Sequence, residues 1–384
     1  MKKSTMFLLW VGAAISISEI YTGGLLAPLG FGAGIAAIIA GHLIGAGLLA
    51  LGAFISYNGK VNAMDSVSLR LGSGGGKIVA LLNIIQLIGW TIVMIVQASA
   101  AVTAILPKLN FMILSLVLGV IVLVWALIFG TPAQWVNSVI VTLLALLCAI
   151  LFAENASQAA ALPGTALPLP PLSFALALEL SIAMPVSWLP LVGDYSYNAD
   201  GKICAAVMPF VGYFLGSVLM YGIGLYITIH SGGDFFSLIA ASRFRLIACA
   251  VVVFSTVTTG FLDLYSAAVS TRQFIKTKSP RAALLIIGIT AAVVSAIFPF
   301  DKYGDFLTAF LTTIGMIFVP VYSYLFISFF LKEKTGNHTA VNIKGLIIIC
   351  AGIISYKLCA INEFFVPTLI SIAVVCILFL LSRR

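Results

Sequence analysis

Charged side chains are scarce in this sequence: Asp, Glu, Lys and Arg together make up 8% of the 384 residues, whereas 62% are hydrophobic. A soluble globular domain carries about 25% charged residues, because its surface must be covered with groups that water solvates. This composition therefore excludes a soluble enzyme, a secreted domain and a disordered protein, and it predicts a polytopic membrane protein. The net charge of +8 does not indicate nucleic-acid binding, because the basic residues lie in short loops rather than on one folded face.

Sequence patterns for metal binding, disulfides and nucleotide hydrolysis are also missing. The six cysteines are scattered through apolar runs, form no CxxC pair and have no His at ligand spacing, so we interpret them as free buried thiols. No GxxxxGK[ST] phosphate-binding loop occurs, and no loop is long enough for a nucleotide-binding domain. We therefore expect neither an ATPase subunit nor a covalent cofactor, and any active transport must draw on an ion gradient.

What the sequence does have is a series of apolar runs. A hydrocarbon core of about 30 Å requires roughly 20 apolar residues per helix. By this measure we predict twelve transmembrane helices, near residues 7–29, 32–56, 77–106, 112–130, 135–153, 172–193, 203–230, 246–270, 282–299, 304–331, 344–361 and 364–382.

The basic residues predict the orientation of the chain in the membrane. An even number of helices places both termini on one side, and Lys and Arg prefer the cytoplasmic side. Fifteen of the 20 lie on the side of the N-terminus. Five lie on the other side, namely Lys108, Arg243, Arg245, Lys302 and Lys357. The bias predicts cytoplasmic N- and C-termini, and we expect the protein in the cell inner membrane.

The first and sixth predicted helices are interrupted by unusual residues. In the first, Ser16 and Glu19 stand near the middle, and the sixth carries Pro185 and Pro190. A proline removes a backbone donor, and loosened backbone survives in lipid only where it faces protein or a water-filled cavity. A simple kink would account for either helix alone. Interruptions at corresponding positions of two five-helix halves instead indicate the binding site of a secondary transporter.

Three carboxylates fall inside predicted helices: Glu19, Glu179 and Asp263. An ionised acid in a bilayer core costs several kcal/mol, so each is a candidate functional residue. Glu19 lies in the predicted break and is the best candidate for substrate binding or proton coupling. For Glu179 and Asp263 a structural hydrogen bond is an equally good interpretation. His42 in the second helix could relay protons, but a packing role is favoured.

Two further groups suggest an ion site and a stacking surface. In the eighth helix Thr258 and Thr259 are adjacent, and hydroxyl oxygens together with freed carbonyls are ligands that Na⁺ accepts. Threonine also bonds to its own helix backbone, so the pair is weak evidence alone. In the third helix Trp90 lies near mid-depth, one turn after Gln86. A deep tryptophan beside a glycine indicates a flat surface on which a ring could stack.

The order of several short motifs resembles the nucleobase:cation symporter-1 family, which includes cytosine permease and the hydantoin transporter. The motifs are Thr22-Gly23-Gly24, Gly89-Trp90, Asp194-Tyr195 and Thr258-Thr259, spread over the first ten helices. The stretch from Met184 to Pro190 is most similar to the family's hydroxymethylpyrimidine-transporter branch, which serves thiamin precursor salvage. The resemblance implies an all-α fold of twelve transmembrane helices: a five-plus-five inverted repeat with broken helices 1 and 6 within residues 1–331, and two additional helices within 332–384.

The resemblance also implies the site residues. A Na⁺ ion would be held by groups of the first and eighth helices, at Gly12, Ile15, Ser255, Thr258 and Thr259. A small planar heterocycle would stack on Trp90, and the substrate-binding set would be Trp90, Gln86, Ser16, Glu19, Met184, Ser187, Trp188 and Asp263. The sequence departs from cytosine permease in the sixth helix, where Met184 or Pro185 replaces an aromatic residue, and after the paired threonines, where Asp263 replaces an Asn-rich segment. These differences argue against cytosine itself.

We therefore expect a symporter, driven by Na⁺ or H⁺, that imports a pyrimidine-type heterocycle such as hydroxymethylpyrimidine. A transporter of cytosine, a purine or another small amine is the nearest alternative. A membrane-embedded enzyme using the buried carboxylates is an alternative from another class, but no paired acids or nucleophile–base set stands at useful spacing. A channel is disfavoured because paired broken helices indicate alternating access.

Overall fold

The computed structural model of the chain describes residues 1–129, 171–231, 243–275, 281–333 and 340–383, together with scattered positions between 129 and 171 and between 231 and 243. The regular secondary structure of these residues is helical. Its α-helices, numbered α1 to α13, are Lys3–Ala14, Ile17–Leu25, Gly30–Gly59, Ala63–Ile105, Phe111–Phe129, Phe174–Val186, Leu189–Ser196, Met208–Ser231, Arg245–Ser270, Arg281–Ala296, Tyr303–Phe330, Ile343–Asn362 and Pro367–Leu381.

Most of these helices have the length and composition of membrane spans. Eight continuous helical stretches among the described residues are long and apolar enough to cross a membrane, and α10 and α13 are shorter apolar helices. Eleven of the twelve predicted spans coincide with described helices. The fifth, near residues 135–153, and the proline-containing loop after it lie largely outside the described residues. The prediction of an all-helical polytopic membrane protein is confirmed.

Helix α4 is longer than the predicted third span. It begins at Ala63 rather than near residue 77, and its 43 residues would extend about 65 Å if straight. Gly72 divides it, with φ of 75° and ψ of 168°, a backbone conformation that glycine adopts without strain. The Leu71 carbonyl beside this kink accepts a hydrogen bond from the N–H of Asn342 at 2.8 Å. The apolar-run criterion missed the beginning of α4 because it carries charged residues such as Asp65.

The first predicted span consists of two helices, α1 and α2, separated by extended backbone. Ile15 has φ of −84° and ψ of 91°, and Ser16 has φ of −146° and ψ of 160°. The Ser16 hydroxyl then caps α2 by accepting a hydrogen bond from the N–H of Glu19 at 3.3 Å. This is the role that serine favours at a helix N-terminus. The predicted break in the first helix is confirmed.

The sixth predicted span is also divided, but by a turn. Helix α6 ends at Val186 and α7 begins at Leu189. The two residues between them keep right-handed helical dihedral angles, with φ and ψ of −58° and −24° at Ser187 and −90° and −6° at Trp188. The N–H of Ser187 still donates to the carbonyl of Ala183 at 2.9 Å. This interruption therefore leaves less backbone unpaired than the one in the first span.

Helices α2 and α8 approach so closely that their backbones are almost in contact. A Cβ atom on Gly23 would overlap the backbone of Tyr221, and one on Gly224 would overlap the carbonyl of Ile20. Small residues are what permit such close approach between membrane helices. The packing presses α2 against α8 and thereby fixes the position of Glu19.

The last two helices, α12 and α13, pack on each other and on α11. Glu179 of α6 is bonded to both. Its Oε1 atom accepts hydrogen bonds from the hydroxyls of Tyr356 at 2.7 Å and Thr368 at 2.6 Å, and its Oε2 atom accepts from the N–H of Thr368 at 2.9 Å. Because both oxygens are satisfied, the structure favours a structural role for Glu179. The division of the chain at residue 331 stays a prediction.

Candidate functional site

A small cavity lies between the break of the first span and helices α4 and α9. Its lining residues are Ser16, Ile17, Met94, Gln97, Ser255, Thr256 and Thr259. The structure thus brings Ser16, a predicted substrate-binding residue, next to two residues predicted for the cation. The other predicted site residues are not among those that line it, namely Gly12, Ile15, Glu19, Gln86, Trp90, Met184, Ser187, Trp188, Thr258 and Asp263.

Oxygen atoms suited to a cation lie on both elements that border the cavity. Because the chain leaves the helix after α1, the carbonyls of Gly12 and Ile15 accept no backbone hydrogen bond from the described residues. Across the cavity, Ser255 and Thr259 of α9 carry hydroxyls on residues that are 7% and 4% exposed. Carbonyl and hydroxyl oxygens are ligands that a hard cation prefers. Oxygen atoms of this kind suit a hard cation, and those of Ser255 and Thr259 belong to residues that line the cavity, whereas Gly12 and Ile15 do not line it.

Thr258 differs from its neighbour Thr259. Its hydroxyl donates to the carbonyls of Phe254 and Ser255, each at 3.1 Å, and its side chain does not line the cavity. This is the bonding to its own helix that threonine often makes in membranes. Of the two adjacent threonines, Thr259 is the better placed to meet an ion.

Gln97 lines the cavity but was not among the predicted residues. Its Oε1 atom accepts a hydrogen bond from the Ser18 hydroxyl at 2.7 Å, whereas its Nε2 atom has no partner among the described residues. Gln97 follows Trp90 by seven positions and Gln86 by eleven, spacings that place all three on one face of a helix. That periodicity was the signal in the sequence that could have identified it.

Gln86 connects α4 to the turn between α6 and α7. Its Nε2 atom donates to the carbonyl of Ser187 at 2.9 Å and to Oδ1 of Asn83 at 3.0 Å, while the Ser187 hydroxyl donates to the carbonyl of Met184 at 2.6 Å. Its own Oε1 atom is buried without a partner in the described part of the chain. The structure therefore places Gln86, Ser187 and Met184 in one neighbourhood.

The two predicted tryptophans lie in different surroundings. Trp90 is 6% exposed and meets Phe310 edge to face, with ring centroids 5.3 Å apart at an angle of 68°. Trp188 belongs to an aromatic cluster in which it contacts Trp10 at 5.8 Å and Tyr213 at 6.3 Å. Trp188 therefore packs towards α1 and α8.

Glu19 faces α8 and α3. It is 1% exposed, its Oε1 atom accepts a hydrogen bond from the Tyr213 hydroxyl at 2.6 Å, and its Oε2 atom lies 2.5 Å from the hydroxyl of Ser217. The same hydroxyl lies 2.5 Å from Nε2 of His42. Glu19 is thus buried and bonded within the protein, and it is not among the residues that line the cavity.

Asp263, the third buried carboxylate of the spans, is also 1% exposed. Its Oδ2 atom has no hydrogen-bond partner among the residues that the structure describes. Within those same residues, no group of three or more His, Cys, Asp and Glu side chains is placed to hold a metal ion.

Comparison with known proteins gives structural likeness without sequence likeness. No protein-family model and no curated protein matches the chain. Among solved structures, Mhp1, a nucleobase-cation-symport-1 family transporter, matches in a closed conformation with bromovinylhydantoin bound, at a TM-score of 0.75 and 16% identity over 98% of this chain and 91% of that one. The inward-facing conformation of Mhp1 matches at a TM-score of 0.78 and 15% identity over 97% and 88%.

More distant transporters match over similar lengths. A manganese transporter from Eremococcus coleocola aligns at a TM-score of 0.62 and 13% identity, over 98% of this chain and 93% of that one. A Na⁺-coupled sialic acid symporter in an outward-open state aligns at 0.54 and 12%, over 98% and 95%. These neighbours are transporters, not enzymes. The likeness confirms the predicted fold class, with interrupted first and sixth helices, and at these identities it shows the fold alone.

Proposed function

We propose that this chain is a cation-coupled secondary transporter that imports a small planar heterocycle of the pyrimidine type, with hydroxymethylpyrimidine as the first candidate. The observation that carries the proposal is the cavity in which Ser16, at the break of the first span, faces Ser255 and Thr259 of α9. Interrupted helices that border a polar cavity are how secondary transporters build their binding sites. The likeness to Mhp1 supports the coarser part of the proposal, a cation-coupled secondary transporter.

Unpaired polar atoms on α4 support a heterocycle as the substrate. Gln97 has a free amide nitrogen, Trp90 a free indole N–H and Gln86 a free amide oxygen, all without partners among the described residues. Two donors and one acceptor along one helix face complement a ring that carries both acceptor nitrogens and amino hydrogens. Because unpaired buried groups are costly, such a site favours a ligand that satisfies them. The Trp90 ring would add a stacking surface.

The proposed coupling ion at this cavity is Na⁺. Its ligands would come from the carbonyls of Gly12 and Ile15 and the hydroxyls of Ser255 and Thr259, with Thr258 beside them. A Na⁺ ion at this place would join the extended link of the first span to α9. Occupation by the ion would therefore stabilise the arrangement of helices that forms the substrate site. We further propose an inner-membrane location with both termini cytoplasmic, from the distribution of Lys and Arg.

Ligand-dependent thermal unfolding of the purified protein tests the substrate class. The compounds are hydroxymethylpyrimidine, cytosine, a purine and a small aliphatic amine, each with and without Na⁺. We expect hydroxymethylpyrimidine to raise the unfolding temperature more than the others, and Na⁺ to increase the shift because a ligand that binds only the folded protein stabilises it. Proteoliposome uptake of the stabilising compound should saturate and require an ion gradient.

A matched pair of variants ties the result to the site. Gln97→Ala removes a cavity-lining amide, whereas Gln273→Ala removes an amide that donates to Asp65 at 2.6 Å and lies in the turn after α9. We expect weaker substrate stabilisation in the first variant and wild-type stabilisation in the second. Uptake that does not saturate, or that continues without any gradient, would contradict the proposal and favour a channel.

A further inference from the structure

The hydrogen-bonded chain formed by Glu19, Ser217 and His42 joins three helices away from the cavity. Glu19 belongs to α2, Ser217 to α8 and His42 to α3, and the three residues are 1%, 0% and 0% exposed. The Ser217 hydroxyl lies 2.5 Å from Oε2 of Glu19 on one side and 2.5 Å from Nε2 of His42 on the other. No role in the cation and substrate site accounts for this arrangement.

The hydrogen bond at Nδ1 of His42 limits how the protons can be arranged among Glu19, Ser217 and His42. His42 Nδ1 lies 2.8 Å from the carbonyl oxygen of Ile38. A carbonyl can only accept a hydrogen bond, so Nδ1 must carry a hydrogen. In a neutral imidazole Nε2 would then be an acceptor, and in an imidazolium it would be a second donor.

The serine hydroxyl has one hydrogen and two neighbours within hydrogen-bond distance. If it donates to Glu19, then Nε2 of His42 must donate to the serine oxygen, and the histidine is an imidazolium. If it donates to Nε2, then Glu19 must donate to the serine oxygen and is a carboxylic acid. Both short contacts are hydrogen bonds only when the chain holds one proton more than an ionised carboxylate with a neutral imidazole.

Among the described residues, the hydrogen-bond partners of the Glu19 carboxyl are the hydroxyls of Tyr213 and Ser217, and no Lys or Arg side chain there neutralises it. The titratable side chains that face Glu19 and His42 from the described packed helices are Tyr213 and Tyr221, both on α8. Tyr213 donates to Oε1 of Glu19 at 2.6 Å, and the Tyr221 ring contacts the His42 ring edge to face at 4.6 Å. From α4, Gln97 bonds to Ser18 rather than to Glu19. A carboxylate without the extra proton would be buried without a cation.

We propose that Glu19, Ser217 and His42 form a proton-binding site, separate from the Na⁺ site, and that its proton is gained and lost during the transport cycle. Loss of the proton leaves Glu19 and His42 competing for one serine hydrogen, so one contact between α2, α8 and α3 breaks. Glu19 is also the residue whose N–H bonds to the Ser16 hydroxyl at the break. Tyr213, which donates a hydrogen bond to Glu19, packs on Trp188 at the turn of the sixth span. Both interrupted spans therefore adjoin the proton site.

The claim that these residues bind a proton does not depend on the proposed function, whereas the claim that the proton is coupled to transport rests on it. Two measurements test the two claims separately. The first is infrared spectroscopy of the purified protein in H₂O and D₂O as a function of pH. We expect a pH-dependent infrared band of Glu19, either that of the protonated acid or that of a carboxylate whose serine partner is bonded to the imidazolium. This band should be lost in Glu19→Gln and altered in Ser217→Ala and His42→Gln. Ser295→Ala and His230→Gln are the matched controls, because Ser295 bonds only to its own helix at Ala291 and His230 is exposed. A spectrum that Glu19→Gln leaves unchanged would overturn the proton site whatever the protein transports.

The second measurement is proton movement in proteoliposomes that contain a pH-sensitive dye. Adding hydroxymethylpyrimidine outside should move protons inward in the wild type and in both controls, and the movement should fall at least tenfold in Ser217→Ala and His42→Gln. Substrate stabilisation in detergent should persist in these variants, which separates them from misfolded protein. Substrate uptake without proton movement would overturn only the coupling of the proton to transport. If the protein neither binds nor takes up any heterocycle, the proposed function is wrong, and the infrared result alone decides whether the proton site exists.

Discussion

The two interrupted spans of this protein differ in how the backbone is arranged and hydrogen-bonded at the interruption. In the first, Ile15 and Ser16 are extended and the carbonyls of Gly12 and Ile15 are left without backbone partners in the described structure. In the sixth, Ser187 and Trp188 stay near helical geometry, and their N–H groups donate to Ala183 and Pro185. The first interruption leaves carbonyl groups without backbone partners, whereas the second keeps its N–H groups paired.

The difference indicates what each span contributes to function. Free carbonyls are ligands for a cation, so the first span can offer its backbone to an ion. In the turn of the sixth span the N–H groups of Ser187 and Trp188 are paired and the Ser187 carbonyl accepts from Gln86. We therefore expect this span to act through its side chains rather than its backbone. The first span should therefore be sensitive to changes that move its backbone, and the sixth to changes in the side chains around it.

The largest effect is expected where α8 holds the first span in place. Gly224→Leu would force a side chain into the carbonyl of Ile20, and a packed backbone cannot move away as a flexible side chain could. We expect almost no folded protein, measured as the monodisperse fraction after detergent extraction. Gly47→Leu on α3 is the control, since nothing lies within 4 Å of a Cβ there. Normal yield of the Gly224 variant would show that the first span tolerates displacement.

The next largest effect tests whether hydroxyl oxygens of α9 and backbone carbonyls of the first span form one cation site. Thr259→Ala removes a hydroxyl from the cavity, and we expect about 1–3 kcal/mol weaker Na⁺ binding, roughly a ten- to hundred-fold loss of affinity. Thr258→Ala should cost less, because that hydroxyl already bonds to its own helix. The measurement is the Na⁺ dependence of uptake at equal expression. Equal losses in the two variants, or wild-type uptake that ignores Na⁺ and collapses with a protonophore, would contradict the Na⁺ site.

A third change tests the predicted stacking surface on α4. Trp90→Ala should remove a stacking contact worth roughly 1–3 kcal/mol by analogy with aromatic stacking on nucleobases, and Trp90→Phe should retain part of it. Substrate affinity is the measurement, with unfolding temperature as the check on folding, because Trp90 also packs on Phe310. A well-folded Ala variant with unchanged affinity would show that Trp90 only packs.

The fold was largely predictable from the sequence because its determinants are local. Apolar run length identifies membrane helices whatever they pack against, and Ser16 carries the cap that begins α2. The start of α4 was missed because Asp65 and its neighbours make it polar, and only the contact of Asn342 with the Leu71 carbonyl shows how the Gly72 kink is satisfied.

The partners of the candidate site residues were harder to predict, because they depend on how distant helices pack. Glu19 and Ser217 are 198 positions apart, and Glu179 and Thr368 are 189 apart. Nothing in the sequence around either glutamate distinguishes the one bonded to α12 and α13 from the one bonded to α8. The close approach that brings Glu19 to Ser217 depends on Gly224, whose significance is apparent only when it lies against Ile20.

The smallest effect sharpens the comparison of the two spans most directly, because it changes the same residue type in each. Ser16→Ala removes the hydroxyl that caps α2, and loss of such a cap typically costs about 1 kcal/mol. Ser187→Ala removes a hydroxyl that bonds only to Met184 one turn earlier, while the N–H of Ser187 keeps its bond to Ala183. We expect its cost to be smaller than that of Ser16→Ala, because this hydroxyl bonds only to the backbone of its own turn. Thermal unfolding of both variants in one detergent gives the measurement. If Ser187→Ala were the more damaging of the two, the turn would be held by its hydroxyl rather than by its backbone, and the sixth span would be as dependent on a single polar side chain as the first.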